Sequence, residues 1–402
     1  MPHPDVSTAV VILSGQTSLH YGGLGVARSL GRWGVPIHWA HPLDNRMALA
    51  SRYVDRVLPL SIDLDLDEAA RQVADFGASI GGRPILIPVD DRAASILGEN
   101  ASLLAESYRF TTQQPDLVRC LGDKQGLHDL CLANDIPTAR IWVPGSAAEL
   151  DAALSEASYP VVLKRIANWA DHGLDRPSVT IARNRSEVAL EYVAEDWTRV
   201  PNILIQEYIP GGPETIWMFN GYFDGDSRCL FGLAGRKLRQ SPAYTGFTSL
   251  GVCEPDSSLV QQTTSLLTRL GYTGPVDLGY RYDARDGTHK LLDVNPRVGS
   301  TFRLFVDSQD MDVIRTLYLD LTDQPVEVGQ PIPGRKWILE PNDLVSAARY
   351  YRDEVLTLAE WARSLSGLSE GAWWARDDLR PFAGVLRYSA GRILPRLSRS
   401  NA

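Results

Sequence analysis

The sequence has few of the residues that build zinc sites or disulfide frameworks. Its 402 residues include four cysteines, Cys120, Cys131, Cys229 and Cys253, and no pair of them stands in CxxC spacing or beside a group of histidines. Structural zinc sites need closely spaced Cys and His ligands, and a chain of this length can build a core without disulfides. We therefore expect neither a zinc site nor a disulfide framework.

Long apolar runs and an excess of basic residues are also missing. The first apolar run, Ala9–Leu13, is short and no basic segment precedes it, so we expect neither a signal peptide nor a membrane span. The 40 basic and 49 acidic residues give a net charge of −9, which predicts no surface for nucleic acid or for an anionic membrane. These absences favour a cytoplasmic protein, and they remain compatible with a local basic pocket for a phosphorylated ligand.

A clear dinucleotide-binding signature is missing as well. Glycines cluster from Gly15 to Gly25, but no clean GxGxxG follows the first apolar run. No acidic residue clearly ends the second run, Val35–Trp39, where such a site would hold the ribose. The sequence therefore disfavours a nicotinamide-dependent dehydrogenase.

What is present begins with an alternation of strands and helices. The apolar runs Ala9–Leu13, Val35–Trp39 and Pro84–Val89 are separated by segments with helical periodicity. This pattern is typical of βαβ units and a parallel sheet, and we assign it to an α/β domain at residues 1–115.

From residue 116 the pattern changes to α+β. The helical segment Asp116–Asn134 is followed by strands, two of which pair around Asp224–Asp226 and two around Arg285–Gly287. We assign residues 116–333 to this part. Residues 334–402, rich in Leu, Trp and Arg, are predicted to form a helical C-terminal extension.

The strongest candidate for a chemical site is the segment Leu291–Arg297. Asp293 and Asn295 are two residues apart on a predicted strand, so their side chains point to the same side. Asp277, on the predicted partner strand, can supply a third oxygen ligand of the kind that Mg²⁺ prefers. Arg297, at the strand end, could hold a phosphoryl group or a carboxylate. Because an acid inside an apolar strand needs a partner, we favour a magnesium site over a polar hairpin face.

Two lysines are candidates for phosphate binding. Lys164 ends the apolar strand Tyr159–Arg165, and Lys124 lies in the helical segment before it. Each ammonium could neutralise nucleotide phosphates, although a lysine at such a position is more often a solvated surface residue.

A polar strand end could bind the rest of a nucleotide. The strand Asn202–Ile209 runs into Gln206 and Glu207 and is followed by a Pro/Gly turn and Glu214. Such a passage could hold an adenine edge and ribose hydroxyls, or be an exposed strand end and a loop.

Two further segments have equally open interpretations. The basic run Gly235–Gln240 and the Gly/Thr-rich stretch Tyr244–Ser249 form either a solvated face or a loop that closes over phosphates. His172 belongs either to a flexible lid or to an ordinary surface loop.

Taken in order, these segments resemble the ATP-grasp superfamily, and most closely its carboxylate–amine ligases, which include the D-aspartate ligases of cell-wall cross-bridge synthesis. The resemblance covers most of the chain and rests on Lys124, Pro160–Lys164, Gln206–Ile209, Glu214, Leu292–Arg297, Leu24–Gly31, Ser51–Val54 and Gly235–Gln240. It implies a preATP-grasp parallel-sheet domain (1–115) and an ATP-grasp fold of two α+β subdomains (116–333) with a hinge near 206–210.

The resemblance also implies ATP and Mg²⁺ as cofactors and a role for each matching residue. The residues implied at the nucleotide are Lys124, Lys164, Gln206, Glu207, Ile209, Glu214 and Lys237. Those implied at the metal are Asp277, Asp293 and Asn295, and those implied in catalysis are Arg297, Lys164 and Arg236. Relatives often carry Glu at position 293 and an acid at Gly279, so Asp277 is the nearest substitute for that ligand.

The reaction implied is the formation of an amide from a small-molecule carboxylate and an amine. ATP would first convert the carboxylate into an acyl phosphate, and a closing loop, Ala167–Arg176 or Gln240–Ser249, would exclude water. Two alternatives stay open: a carboxylase or phosphotransferase of the same fold, and a non-catalytic nucleotide-binding module. The sequence does not identify the substrates, and a homodimer is the commonest arrangement for such an enzyme.

Overall fold

The computed structural model describes residues 3–16, 21–43, 46–165, 179–192 and 203–399. The elements of the first part are β1 (Val10–Leu13), α1 (Tyr21–Gly31), β2 (Ile37–His41), β3 (Arg56–Pro59), α2 (Leu66–Ile80), β4 (Ile85–Pro88), α3 (Asp91–Glu99) and α4 (Ala101–Ser107). The middle part contains α5 (Pro115–Gly122), α6 (Lys124–Ala133), β5 (Ile141–Trp142), α7 (Ala147–Glu156), β6 (Val161–Arg165), β7 (Val179–Ala182), α8 (Arg185–Tyr192) and β8 (Ile203–Glu207).

The remaining elements build the largest sheet and the tail. They are β9 (Ile216–Phe223), β10 (Cys229–Ser241), β11 (Phe247–Cys253), α9 (Ser257–Arg269), β12 (Gly274–Asp283), β13 (Thr288–Asn295), α10 (Val313–Leu321), β14 (Lys336–Ile338), α11 (Glu340–Arg352), α12 (Leu358–Ser364), β15 (Leu368–Gly371) and α13 (Arg380–Arg399).

The first sheet is parallel, with the strand order β3-β2-β1-β4. Its central strand β1 is apolar throughout because both faces are covered. Val10 and Ile12 face the core that contains α1, whereas Val11 and Leu13 face the core that contains α2. The sequence did not predict β3, which is a short, largely exposed edge strand that begins with a charged residue.

The second sheet is antiparallel, with the order β5-β8-β6-β7. One face is covered by α7 and α8, and their apolar residues share a small core with β6 and β8. Strand β6 carries Lys164 near its end and β8 carries Gln206, so this sheet holds two of the candidate residues.

The third sheet has seven strands in the order β13-β12-β9-β10-β11-β14-β15. One face packs on α9, α5 and α6. The other face shares its core with α1 and α10, so the first domain and this sheet are joined by one continuous apolar cluster.

The C-terminal extension contains the predicted helices and also two strands. β14 pairs antiparallel with β11, and β15 pairs with β14, so the extension completes the third sheet. Trp337 and Trp373 are both buried in the core shared with α1. The sequence did not indicate these strands, because each has only three or four residues. No helix in the described ranges is long and apolar enough to span a membrane.

Candidate active site

Lys124 is the first residue of α6, at the edge of the third sheet. The segment Asp116–Asn134, predicted as one helix, is in fact two, and they are separated at Asp123. The Asp123 carboxylate accepts a hydrogen bond from the Gly126 N–H, which caps α6. From this helix start the Lys124 ammonium forms an ion pair with Asp293 of β13.

The three predicted metal ligands lie together on one face of the hairpin β12–β13. Asp277 is directly opposite Asn295, and Gly279 is opposite Asp293. The Asn295 amide nitrogen is 3.5 Å from a carboxylate oxygen of Asp277 and 3.5 Å from one of Asp293. Asp277 therefore lies close enough to Asp293 and Asn295 to take the place of the acid that this chain lacks at Gly279.

This donor set is compatible with a hard divalent cation. It offers two carboxylates and one amide oxygen, which are ligands that Mg²⁺ accepts. Within the described ranges, no three Asp, Glu, His or Cys side chains are grouped closely enough to hold a metal by themselves. A cation here would therefore share its shell with Asn295 and with oxygens of a ligand or water, as Mg²⁺ commonly does beside nucleotide phosphates.

Three ammonium groups surround these carboxylates. Lys164 enters from the second sheet, Lys124 from α6, and Lys237 from β10. Burial, together with the neighbouring Lys124 and Lys237, lowers the pKa of Lys164 to about 8, although Asp293 partly opposes this. Burial also lowers the pKa of Lys237. Like charges held this close favour the binding of a polyanion, which would relieve their repulsion.

Arg297 closes the cluster on the side of the first domain. Its Nε donates to a carboxylate oxygen of Asp91 at 2.5 Å, and Asp91 is the first residue of α3. Burial opposes the charge, but Asp91 and Asp277 more than offset it, so the pKa of Arg297 is raised. The guanidinium therefore stays charged at the boundary between the domains.

Sequence reasoning missed two residues of this site. Tyr21, at the start of α1, forms a hydrogen bond with Ser300, and burial raises its pKa to about 12. Asn220, fully buried on β9, lies directly opposite Asp277. Its amide interacts with the Asp277 carboxyl and lowers the pKa of that group. The only sequence feature that indicated a special role for Asn220 was an amide inside the apolar run Trp217–Phe223. No sequence feature indicated a role for Tyr21.

Burial of the Asp277 carboxylate has a measurable consequence for stability. Burial raises its pKa from 3.8 to about 6, although Arg297 and Lys237 lower it. A group whose pKa is raised by folding destabilises the native state when it ionises, so this penalty grows as the pH rises from 4 to 6 and is complete above that range. We expect Asp277→Asn to stabilise the ligand-free protein by about 2 kcal/mol near pH 8, and by much less near pH 4.5.

Urea unfolding at the two pH values measures this difference, with the exposed Asp63→Asn as the control variant. An Asp277→Asn variant that is less stable than wild type near pH 8 would show that the carboxylate is net stabilising there, contrary to the expectation.

A cleft between the second and third sheets adjoins Lys124. The residues that line it are Lys124, Leu127, His128, Thr138, Ala139, Ile141, Leu204, Gln206, Leu291 and Leu292. Most of these side chains are apolar, and Gln206 is 6% exposed. The cleft thus offers apolar walls beside one amide, but its volume of about 20 Å³ is smaller than an aromatic ring, so the second and third sheets have to separate before such a group can enter.

The other residues predicted for the nucleotide lie along the connection that follows β8. Glu207 accepts a hydrogen bond from the Arg140 N–H and forms an ion pair with Arg285. Ile209 is buried, and Glu214 is exposed, with its carboxylate accepting the Gly212 N–H at 3.0 Å. Their predicted adenine and ribose contacts stay predictions.

Arg236 does not join the lysine and carboxylate cluster, contrary to its predicted catalytic position. It lies in β10 next to Lys237, and neighbouring residues of a strand point to opposite faces. Its guanidinium pairs with Glu254 and lies 5.5 Å from the Trp217 ring, on the face that packs against α9.

This arrangement predicts that the two adjacent basic residues differ in importance. Lys237→Gln should lower turnover about 10²-fold, because it removes a charge aimed at the cluster. Arg236→Gln should leave turnover within about threefold of wild type. Steady-state assays of the two variants measure the contrast, and equal losses would mean that both side chains reach the substrate.

The predicted lid Gln240–Ser249 is mostly strand. β10 continues to Ser241 and β11 begins at Phe247, which leaves a turn at residues 242–246. The Gly246 carbonyl accepts hydrogen bonds from Lys237 at 3.3 Å and from Gln240 at 2.7 Å. These hydrogen bonds therefore hold the turn against β10 beside Lys237. The other predicted lid, Ala167–Arg176, and His172 within it lie outside the described residues.

Known proteins with similar sequences and structures bear on the identity of this site. No family model matches the chain. Over 242 residues, 58% of this chain, the sequence is 23% identical to D-aspartate ligase of Enterococcus faecium (strain Aus0004). The match spans 57% of that protein, so the chain covers little more than half the length of this relative.

The fold is shared with several solved structures. The ADP complex of the purK N5-carboxyaminoimidazole ribonucleotide synthetase matches with a TM-score of 0.61 at 14% identity, over 84% of this chain and 82% of that one. The L-amino acid ligase of Bacillus licheniformis matches with 0.59 at 15%, over 82% and 76%. N5-carboxyaminoimidazole synthetase of Staphylococcus aureus with ADP matches with 0.63 at 12%, over 88% and 87%. The chain has an ATP-grasp fold.

This finding confirms the fold class and the resemblance predicted from the sequence. The cluster of Lys124, Lys164 and Lys237 around Asp277 and Asp293 lies where the second and third sheets of the ATP-grasp fold face each other. At these identities the structural likeness establishes the fold.

Proposed function

We propose that this protein is an ATP- and Mg²⁺-dependent ligase that joins a carboxylate to an amine and releases ADP and phosphate. The observation that carries the proposal is the convergence of three lysines and Arg297 on two carboxylates and an amide, at one end of a mostly apolar cleft. That combination matches a purine at one end of a ligand and a charged phosphate chain at the other.

The cleft supplies the features that a nucleotide needs. An adenine ring would lie between Ile141, Leu204 and Leu291, with its edge toward Gln206. The phosphates would then extend to the lysines. In support, two of the structures with this fold hold ADP, and a biotin carboxylase domain of Hydrogenobacter thermophilus with the same fold holds MgADP.

Asp277, Asp293 and Asn295 are the residues that would hold the metal. Their oxygens are hard donors, and the buried Asn220 side chain, which interacts with Asp277 from the neighbouring strand, could support the carboxylate. When bound, Mg²⁺ supplies positive charge that offsets the negative charge of the phosphates.

The protein residues would contribute position and charge rather than a nucleophile. A carboxylate oxygen of the substrate attacks the γ-phosphorus of ATP, a new P–O bond forms, the bond to the ADP oxygen breaks, and ADP leaves. The amine then attacks the acyl carbon of this acyl phosphate, and phosphate leaves while the nitrogen loses a proton. Lys164, Lys237 and Arg297 would stabilise the charge on the transferring oxygens.

The substrates would lie between Arg297 and the first domain, where Asp91 and Tyr21 also face the cluster. The names of two similar proteins, D-aspartate ligase and L-amino acid ligase, favour an amino acid as one of the two substrates. The cytoplasmic location and the homodimer stay predictions.

The experiment that tests the proposal is ADP release with Mg²⁺ and ATP over a matrix of carboxylates and amines, beginning with D- and L-amino acids. ADP formed only with a particular pair, together with a new amide in the product, would support the ligase. A phosphorylated or carboxylated product would instead indicate the alternative reactions of the fold. ATP binding without turnover across the matrix would indicate a binding module.

A further inference from the structure

The last helix, α13, lies in a segment whose charge differs from that of the rest of the chain. Residues 379–402 contain five arginines and no aspartate, glutamate or lysine, whereas the whole chain has a net charge of −9. Arg380 and Arg387, in the first half of the helix, are both exposed. The net charge of the protein therefore conceals a basic segment, and expectations drawn from that net charge do not apply to it.

One face of α13 packs on the rest of the molecule. Pro381 and Val385 are buried, and Val385 belongs to the core that contains α1. Gly384 approaches the first domain so closely that a Cβ at this position would lie 3.0 Å from the Met47 side chain. The first half of the helix is therefore held in place along this face.

The opposite face carries an apolar stripe that is open to solvent. Leu379 directly precedes α13, and its carbonyl accepts the Ala383 N–H. Leu379 is 54% exposed, Leu386 is 50% exposed, and Ala383 between them is exposed as well. The same spacing of four and three residues continues in the sequence of α13 at Ala390, Ile393 and Leu397. Positions at this spacing share one face of a helix, so the stripe follows the whole of α13.

The arginine positions flank this stripe and do not interrupt it. At about 100° per residue, the six positions of the stripe fall within a sector of about 80°, and all five arginine positions of the segment fall outside that sector. An apolar stripe with arginines on both sides is the distribution found in helices that lie in the plane of a membrane surface.

The charge of the segment distinguishes between the partners that such a stripe could have. Two copies packed along their stripes would bring five arginines from each helix together, with no acid on either helix to offset them. A protein groove that encloses a helix needs more than one free face, but Pro381 and Val385 hold the other face on the body. An anionic lipid surface is flat, needs only the exposed face and offsets the arginine charge.

From this distribution we propose that α13 is a membrane-surface helix that binds the protein to anionic lipid. Leu379, Leu386 and the stripe positions after them enter the boundary between headgroups and acyl chains. The arginines on both sides of the stripe bind the lipid phosphates. The inference does not depend on the proposed ligase activity.

Flotation of the full chain with lipid vesicles tests the binding. Vesicles of equal parts phosphatidylglycerol and phosphatidylcholine supply the anionic surface, and phosphatidylcholine alone supplies the matched neutral one. We expect the protein to bind the anionic vesicles at least about tenfold more tightly than the neutral ones at low salt. The double variants Leu379→Gln/Leu386→Gln and Arg380→Gln/Arg387→Gln should each weaken this binding about tenfold or more.

Two matched double variants serve as controls. Leu344→Gln/Val345→Gln removes two exposed apolar side chains from α11, and Arg269→Gln/Arg363→Gln removes two exposed arginines from α9 and α12. Both should bind the anionic vesicles as the wild type does. Because every altered side chain is exposed, the urea midpoints of all four variants should stay close to that of the wild type.

Several results would overturn the inference. The wild type could fail to float with the anionic vesicles, or either variant of the α13 segment could bind them as tightly as the wild type does. Equal affinity for poly-L-glutamate, which is anionic but has no acyl phase, would assign the segment to an acidic polypeptide. A dimer that light scattering shows to dissociate in Leu379→Gln/Leu386→Gln would assign the stripe to a second copy of the chain.

Discussion

Replacing Asp293 by alanine is expected to lower the rate of ADP release by about 10³-fold. The Asp293 carboxylate forms an ion pair with Lys124 and attracts the Lys164 ammonium electrostatically. Its removal therefore leaves these ammonium groups with less negative charge to hold them in place. It also removes one of two carboxylates that would hold Mg²⁺. Steady-state ADP release, with the substrate pair identified by the matrix, measures the effect.

The control is Asp286→Ala, which lies on the turn of the same hairpin and contacts Thr288 and Lys290. It should retain nearly full activity. Thermal unfolding of both variants separates a loss of chemistry from a loss of folding. If the Asp293→Ala variant released ADP at the wild-type rate, Asp293 would be neither a metal ligand nor part of the site at which the proposed reaction occurs.

Replacing Arg28 by methionine is expected to cost about 3–5 kcal/mol of stability. Arg28 is 2% exposed and donates to the Asp378 carboxylate at 3.0 Å and to the carbonyls of Ala372 and Trp373 at 3.1 and 2.7 Å. Without the guanidinium, the carbonyls of Ala372, Trp373 and Asp378 lose a donor, and the buried Asp378 carboxylate loses its ion-pair partner. The Ser51 hydroxyl and the Arg52 N–H still donate to that carboxylate, but they do not neutralise its charge. Urea unfolding of the full chain measures the loss.

A neighbouring ion pair provides a matched control. Arg32, the residue that follows α1, pairs with Asp377 at 3.0 Å, but both side chains are partly exposed. Arg32→Met should therefore cost no more than about 1 kcal/mol. In the double variant Arg28→Met/Asp378→Asn the buried charge is gone, and part of the lost stability should return. Equal costs for Arg28→Met and Arg32→Met would show that burial does not decide the strength of these pairs.

Local sequence patterns predicted those candidate residues that can be placed from the few residues on either side of them. The spacing of Asp293 and Asn295 fixes their common face, and the turn Arg285–Gly287 fixes the hairpin that brings Asp277 opposite them. Lys124 and Lys164 were predicted to bind phosphate from their order along the chain, because neither residue has a local signature, and their contact with phosphate stays a prediction. The ATP-grasp fold followed from the same order.

Residues whose position depends on distant partners were beyond such reasoning. The basic run around Arg236 indicates either a solvated face or a loop that closes over phosphates, whereas β10 continues through this run to Ser241 because β11 and β9 pair with it. Tyr21 enters the site only because α1 packs on the third sheet. The strands of the extension are likewise defined by β11, and short strands have no periodicity to detect.

The contact between α1 and the extension also sets an order of events during synthesis. Arg28 and Asp378 are separated by 350 residues, so α1 emerges from the ribosome long before the carboxylate and the three carbonyls that Arg28 binds. Domains generally fold from the N-terminal end as they are made. The first domain can form its parallel sheet early, but the guanidinium of α1 has to stay hydrated until the extension arrives. A nascent chain paused before Trp373 would therefore present an unfinished apolar face around α1 to chaperones and proteases, however well its active-site strands were already paired.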